Sequence, residues 1–570
     1  MPQGRKRTAR ADLSTLEKLR AEFGPGIAGQ KRALLQVLGR TRFDSASLVG
    51  RYHEALVFLR AYPDDRGLLR EVETQLERFE LRPDFRKFRS ALADSGIAGT
   101  STTFSFFAET AWRLAERYPG KLEIVPEENA SASSRDPVER WLPFVAHSAE
   151  VPGIDEIAWS SAEWLDRMRG PEQTGAALLL RRLRTALPTS FLFERVVDDL
   201  DLTFRLAAGV ETPSRTRERL AGAPVVCHPR PLRRGRPDLR AEIAREPLAV
   251  ERLTGRRAAQ VLELARNAMV TRSRDLDAFA YGSVEDVRLV TWEEGLQFAV
   301  FGVLPERRLL LEAVYGFLTL KNGVPIGYLL NSALFGSAEI AFNVFENFRG
   351  IEAAHVYARG LATVRQVFRA DAFTIFPYQL GDDNDEALDS GAWWFYRKLG
   401  FVPREPHVVA LMRREMAEMK RDPSHRSSRE ILVRLSRENL FFHLGRERRD
   451  VIGEVPLPSV GLAVTALLSR RFGATPDRGA AACDEEARDR LGARRLAGWS
   501  ADELLMFGRW APVVLLLPGV ETWSLAERAA LLAVIRAKGG REEAEFVHRF
   551  DAHPRLPRAL ARLARRSDRV

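Results

Sequence analysis

The sequence predicts an α/β (α+β) protein, in which a mixed sheet starts as an antiparallel meander, continues as a β-α-β-α-β run and lies between two helical flanks. Three observations predict it. Between 287 and 375 the apolar residues fall in short blocks of strand length. Asn322-Gly323 separates two of those blocks, as the two-residue turn of a hairpin would. Outside this stretch the apolar spacing is helical, as in Leu69, Val72, Leu76 and Phe79 with Arg and Glu between them.

In chain order, the 570 residues exceed one ordinary hydrophobic core. The expected parts are a helical N-terminal region (1–210), a Pro/Arg-rich linker (211–245), the sheet domain (246–418) and a helical C-terminal region (419–570). In the first part Asp64 stands where it can cap the helix carrying Leu69. Similar stripes fall at 56–59, 111–115 and 178–187, with no fixed repeat, and 127–137 reads as a loop. Pro213, Pro224, Pro229, Pro231 and Pro237 argue against a helix in the linker. Its Arg234-Gly235-Arg236-Pro237 matches the core of a minor-groove AT-hook, and equally a plain basic linker.

Strands are expected at 296–303, 316–320, 324–330 and 338–344, with the last three forming the meander. Phe335-Gly336-Ser337 makes its second turn. A helix follows at 351–368, a short strand at 372–376, a second helix at 385–399 ended by Gly400, and a strand from 401. Beyond the polar stretch 422–430 the tail reads as helical. It has a loop at 473–479, a buried strand or helix end at 511–520 and a basic helix at 558–566.

Composition narrows the function. Hydrophobic residues make up 45% and charged residues 29%, as in a globular protein. No apolar run approaches the ~18 residues of a membrane helix, and no signal peptide is expected. Cys227 and Cys483 have neither the spacing nor the neighbours of a zinc site, and they suggest no disulfide framework. A reducing, cytoplasmic setting and no metal are therefore expected. The net charge of +10 raises nucleic acid as a partner. From 316 to 400, however, seven basic residues stand against nine acidic ones, so the surplus lies elsewhere. Neither nucleic acid nor membrane is expected as a partner. Phosphate-loop, HExxH and GxSxG motifs are absent.

The chemistry-bearing residues cluster after the meander. Phe348-Arg349-Gly350 opens a helix, and Phe395-Tyr396-Arg397-Lys398-Leu399-Gly400-Phe401 ends another. In this element order, residues 253–414 resemble the GNAT superfamily of N-acyltransferases. The resemblance implies acetyl-CoA, or another acyl-CoA, as co-substrate. An amine of a small molecule or a protein lysine would attack the thioester directly. It further implies that Val344, Phe345, Arg349, Gly350, Ile351, Ala353 and Ala354 bind the cofactor, with Tyr396 as the general acid. Independently of the family, a helix N-terminus presents unpaired N–H groups and partial positive charge to a pyrophosphate. Gly350, Ala353 and Ala354 let the backbone come close, and Arg349 adds a cation. A phenol such as Tyr396 can protonate a departing thiolate.

A base must also take the amine proton. Glu339 and Asn343 share one face of the third meander strand, while Glu346 and His355 are further candidates. Asp382, Asp383, Asp385 and Glu386 suit a helix N-terminus or a dock for a cationic acceptor. Trp393 and Trp394 read as core. Glu352 stands where the family pattern has glycine, and it favours an alternative: a GNAT-like ligand- or protein-binding module with helical arms and no catalysis.

Overall fold

The structure is a computed structural model that describes residues 9–125, 136–233, 235–350, 352–473, 475–493 and 495–567. Arg234, Ile351 and most of the expected 127–137 loop lie outside the described residues. The chain divides into two compact units: Met1–Leu232 with Gln260–Tyr281 and Lys321–Pro325, and Arg233–Ala259 with Gly282–Leu320 and Ile326–Val570. Residues of the 211–245 linker fall in both units, and 419–570 falls in the second.

The first unit is mainly helical, as its stripes predict, but it also holds a small antiparallel sheet in the order Thr102–Phe104, Phe204–Leu206, Leu122–Ile124. Three-residue strands leave too little alternation for the sequence to announce them. Asp64 does not cap the Arg66–Glu77 helix. Asp65 does, accepting the Leu68 N–H at 2.8 Å. Asp64 instead pairs with the buried Lys31 at 2.7 Å, where an ammonium needs a counter-ion.

The second unit is a mixed α/β body built on strands β1 (Ala249–Leu253), β2 (Gly282–Thr291), β3 (Leu296–Val303), β4 (Ala313–Lys321), β5 (Val324–Leu334), β6 (Ser337–Val344), β7 (Ala372–Ile375), β8 (Val402–Pro403) and β9 (Leu440–His443). Their order in the sheet is β8-β9-β7-β6-β5-β4-β3-β2-β1. The sheet on this side is longer than the expected three-strand meander, because β1, β2 and β3 extend it. Two tight turns set its register. Asn322 and Gly323 both have positive φ, 51° and 78°, and so do Phe335 and Gly336, 57° and 59°. This is the twist a two-residue hairpin requires.

Helix α1 (Leu239–Ile243) starts just beyond Pro237, where Asp238 caps it. Helix α2 (Ala353–Phe368) is the crossover that lets β7 run parallel to β6. It lies close to the sheet: a Cβ on Gly360 would stand 2.9 Å from Leu329 Cδ1. The expected single helix at 385–399 is broken. It forms α4 (Asp385–Ser390) and α5 (Ala392–Leu399), after the short α3 (Pro377–Leu380). Gly391 between α4 and α5 takes a left-handed φ of 67°, which an L side chain disfavours.

The tail is not purely helical, because β9 pairs with both β7 and β8. The apolar 511–520 stretch lies largely in the helix Ala501–Leu516, which tolerates Pro512. The 473–479 loop is shortened by a helix beginning at Pro476. No helix among the described residues is long and apolar enough to cross a membrane.

A buried polar network ties this tail to the sheet. Tyr315 on β4 donates to Asp286 on β2 and accepts the Ala544 N–H at 2.8 Å. Asp286 also accepts the Glu543 N–H at 3.1 Å and faces Arg288 at 3.1 Å. Lys538 and Glu543 pair with both side chains fully buried, and Lys538 donates to the Glu312 carbonyl at 2.7 Å. Arg308 donates to the carbonyls of Lys538 and Gly540, each at 2.6 Å. Burial pushes the Lys538 pKa down and the Glu543 pKa up, while their pairing opposes both shifts. Lys538→Met strands the Glu543 carboxylate and should lower the unfolding free energy by roughly 3–5 kcal/mol in denaturant titrations. Adding Glu543→Leu should recover most of that loss.

Candidate functional site

Strand β6 stays paired with β5 along its whole length, from Ser337 opposite Leu334 to Val344 opposite Gly327. Its other edge is different. The register with β7 runs only from Ser337 opposite Ala372 to Glu339 opposite Thr374. Two residues after β7 ends, Pro377 opens α3; it has no N–H to continue a ladder, and its ring favours a helix start. The strands therefore part, and residues 340–344 of β6 have no partner in β7. Every second peptide unit there turns its N–H and C=O toward the gap.

A cavity of about 580 Å³ opens at this fork. Phe342, Asn343 and Val344 form its β6 wall. The Asn343 Oδ1 is buried and accepts no hydrogen bond among the described residues. Arg349, Gly350 and the first turn of α2 (Ala353, Ala354, His355) form the next wall. The first N–H groups of a helix have no intrahelical acceptor, and the N-cap residue of α2, Glu352, makes no side-chain capping bond. Glu352 holds a left-handed φ of 49° and is buried, with Oε1 accepting the Arg233 N–H at 3.3 Å. Gly350, at φ 76°, has open space where a Cβ would be. Arg349 donates to the Val344 carbonyl at 3.2 Å and pairs with Glu386. Both members of that ion pair are about half exposed, so it is weak and exchangeable.

Helix α5 delivers Tyr396. Gly391 re-aims the chain, and Gly400 closes the helix at φ 110°. The Phe401 N–H returns to the Tyr396 carbonyl at 3.2 Å, giving a Schellman-type end. The Tyr396 side chain is 3% exposed yet lines the cavity, with its ring set among Tyr357, Phe395 and Phe401. Its hydroxyl makes no hydrogen bond among the described residues. Burial raises its pKa, so the group stays a phenol at neutral pH. Behind it, the fully buried Tyr357 hydroxyl also has no partner.

The cavity thus gathers Tyr396, Asn343, Val344, Arg349, Gly350, Ala353 and Ala354 of the residues expected from sequence. Ile351 lies outside the described residues. Phe345 does not reach the cavity wall; it is buried against Tyr328, because its N–H bonds to Ile326 and the chain turns there. Glu339 does not line the cavity either. It sits at the apex of the fork, as the last β6 residue in register with β7. Burial, with the charge of Glu312 added, pushes its carboxyl up to about 7. Glu346 is exposed, and His355 lines the cavity with its pKa lowered by burial.

Two of the four residues in the acidic run are paired, Asp385 with Arg429, which also meets Asp389, and Glu386 with Arg349, while Asp383 is exposed at the surface. Trp393 is core, while Trp394 is half-buried and donates to Ser427 at 3.1 Å. Sequence reasoning did not place Arg233 or Gly235 at this site, although Gly235 lies in the AT-hook-like run; both line the cavity and precede the helix they face by more than a hundred residues. The described residues contain no group of side chains able to hold a metal ion.

No family model matches the chain, and neither the curated proteins nor the solved structures contain a significant match.

Tyr357→Phe removes a buried hydroxyl that has no hydrogen-bond partner among the described residues. Thermal and denaturant unfolding should show it neutral or stabilising by about 1 kcal/mol.

Proposed function

We propose that the second unit is an acyl-CoA-dependent N-acyltransferase of GNAT-like layout, passing an acyl group, acetyl in the simplest case, to an amine. The observation that carries this reading is the fork between β6 and β7. It joins an uncapped helix N-terminus at its open end to a buried phenol and a carboxyl of raised pKa farther in. A long ligand with an anionic end and an amide-bearing arm matches that sequence of environments. Its pyrophosphate would take the α2 N–H groups and Arg349. Its arm would use the unpaired edge of β6, and Asn343 Oδ1 would accept one of its N–H groups.

The chemistry follows from the protonation states. The amine nitrogen attacks the thioester carbonyl, the C–N bond forms and the C–S bond breaks. Tyr396, kept protonated by burial, gives its proton to the departing thiolate. Glu339, whose carboxyl is pushed up to about 7 but does not line the cavity, takes the proton lost by the amine through a relay of waters between the cavity and the apex of the fork. No covalent enzyme intermediate is required. A small-molecule amine and a protein lysine both satisfy this scheme.

Glu352 favours a second reading, a ligand-binding module without turnover, because it puts a carboxylate in the wall where phosphates would dock.

Calorimetric titration of the full-length protein with acetyl-CoA should show binding that Arg349→Glu abolishes. Absence of binding by acetyl-CoA and by free CoA would overturn the acyltransferase reading. With an acceptor in hand, Tyr396→Phe should lower kcat at least about tenfold while leaving the fold intact. A base must be deprotonated to act, so kcat/KM should rise as pH increases through about 7. Glu339→Gln should remove that rise, and an unmoved profile would exclude Glu339 as the base.

A further inference from the structure

Two residues of the arginine-rich linker lie against the cavity. Arg233 and Gly235 both line it, beside the first turn of α2. The Arg233 N–H donates to Glu352 Oε1 at 3.3 Å, and the Arg233 guanidinium pairs with Glu294 at 3.3 Å. Gly235 passes at φ 101° with nothing where a Cβ would be. Burial lowers the Arg397 pKa on α5, and the nearby charge of Arg236 adds to that shift. Just downstream the strap is anchored. Asp238 caps α1, and Glu242 of α1 pairs with Arg359 of α2.

This arrangement has two electrostatic consequences. The Glu352 carboxylate, which would repel a phosphate, is turned toward a main-chain N–H of the strap. The Arg233 guanidinium is held by an ion pair about half exposed on each side. Such a pair contributes little, and a phosphate offering two oxygens to the guanidinium fork outcompetes it. Arg233 therefore stands as a second cation in the cavity wall, separate from Arg349, which precedes the Glu352 N-cap by three residues.

We infer that Arg233, carried by the linker strap, binds the ribose 3′-phosphate of coenzyme A, while Arg349 and the α2 N-terminus hold the pyrophosphate. This rests on the acyl-CoA reading above. Through Arg233 the strap is then a specificity element of the site.

The test is calorimetry on the full-length protein with two probes, CoA and 3′-dephospho-CoA, on the wild type, Arg233→Ala and Arg233→Lys. The wild type should bind CoA about tenfold more tightly than dephospho-CoA. Arg233→Ala should erase that preference and leave dephospho-CoA binding unchanged, and Arg233→Lys should restore part of it. Equal binding of both probes by the wild type, or an equal loss for both in Arg233→Ala, would overturn the assignment while leaving the acyl-CoA site standing. If neither probe binds the wild type, the acyl-CoA reading falls and the assignment falls with it.

Discussion

The parting of β6 and β7 is the constraint on which the rest of the site depends. Two adjacent parallel strands normally share an evenly spaced ladder. Here the ladder stops after Glu339 and Thr374, because Pro377 takes the chain into a helix while β5 keeps β6 extended to Val344. One strand is released and the other is held. The result is a wedge with polar backbone along one side, the start of α2 at its mouth and Glu339 at its apex. Tyr396 reaches the wedge because Gly391 and Gly400 fix where α5 begins and ends.

The wedge stays open because the sheet is braced from both ends. On the far edge of β7, β9 supplies the partner that β6 gives up, with Ala372 to Ile375 opposite His443 to Leu440. Across the sheet, Asp286, Tyr315, Arg308, Lys538 and Glu543 dock the C-terminal helices through buried charge. Buried ion pairs add little net stability once desolvation is counted. Asp286, Tyr315, Arg308 and Lys538, however, each bond a specific main-chain group, which sets the position of the tail relative to the strands. The C-terminal residues are therefore part of the body that builds the site, and their helical pattern gives no hint of it.

Parts of the candidate site were readable in one dimension because their signals are local. Phe348-Arg349-Gly350, the small residues Ala353 and Ala354, and Tyr396 before Gly400 lie on single elements, and the cavity brings them together. The alternation that put Glu339 and Asn343 on one face of a strand was sound, but it could not say that Asn343 lines the cavity while Glu339 sits at its apex. That difference depends on where a neighbouring strand stops. The Gly391 break was missed because the apolar pattern of 385–399 is continuous; one backbone conformation, not a change of pattern, splits the helix. Asp64 and Asp65 show the same limit. Both can cap, and the buried Lys31 decides which one does.

By itself the sequence determined the mixed α/β character, the hairpin turns, the crossover helix and the residues that start and end it. Periodicity, turn chemistry and helix ends are local properties of a few neighbouring residues. Only the tertiary structure decided the fork, the raised pKa values of Glu339 and Tyr396, the addition of β9 to the sheet and the approach of Arg233 to Glu352. Each of these depends on burial or on groups far apart in the chain, and a linear sequence does not specify which distant groups will meet.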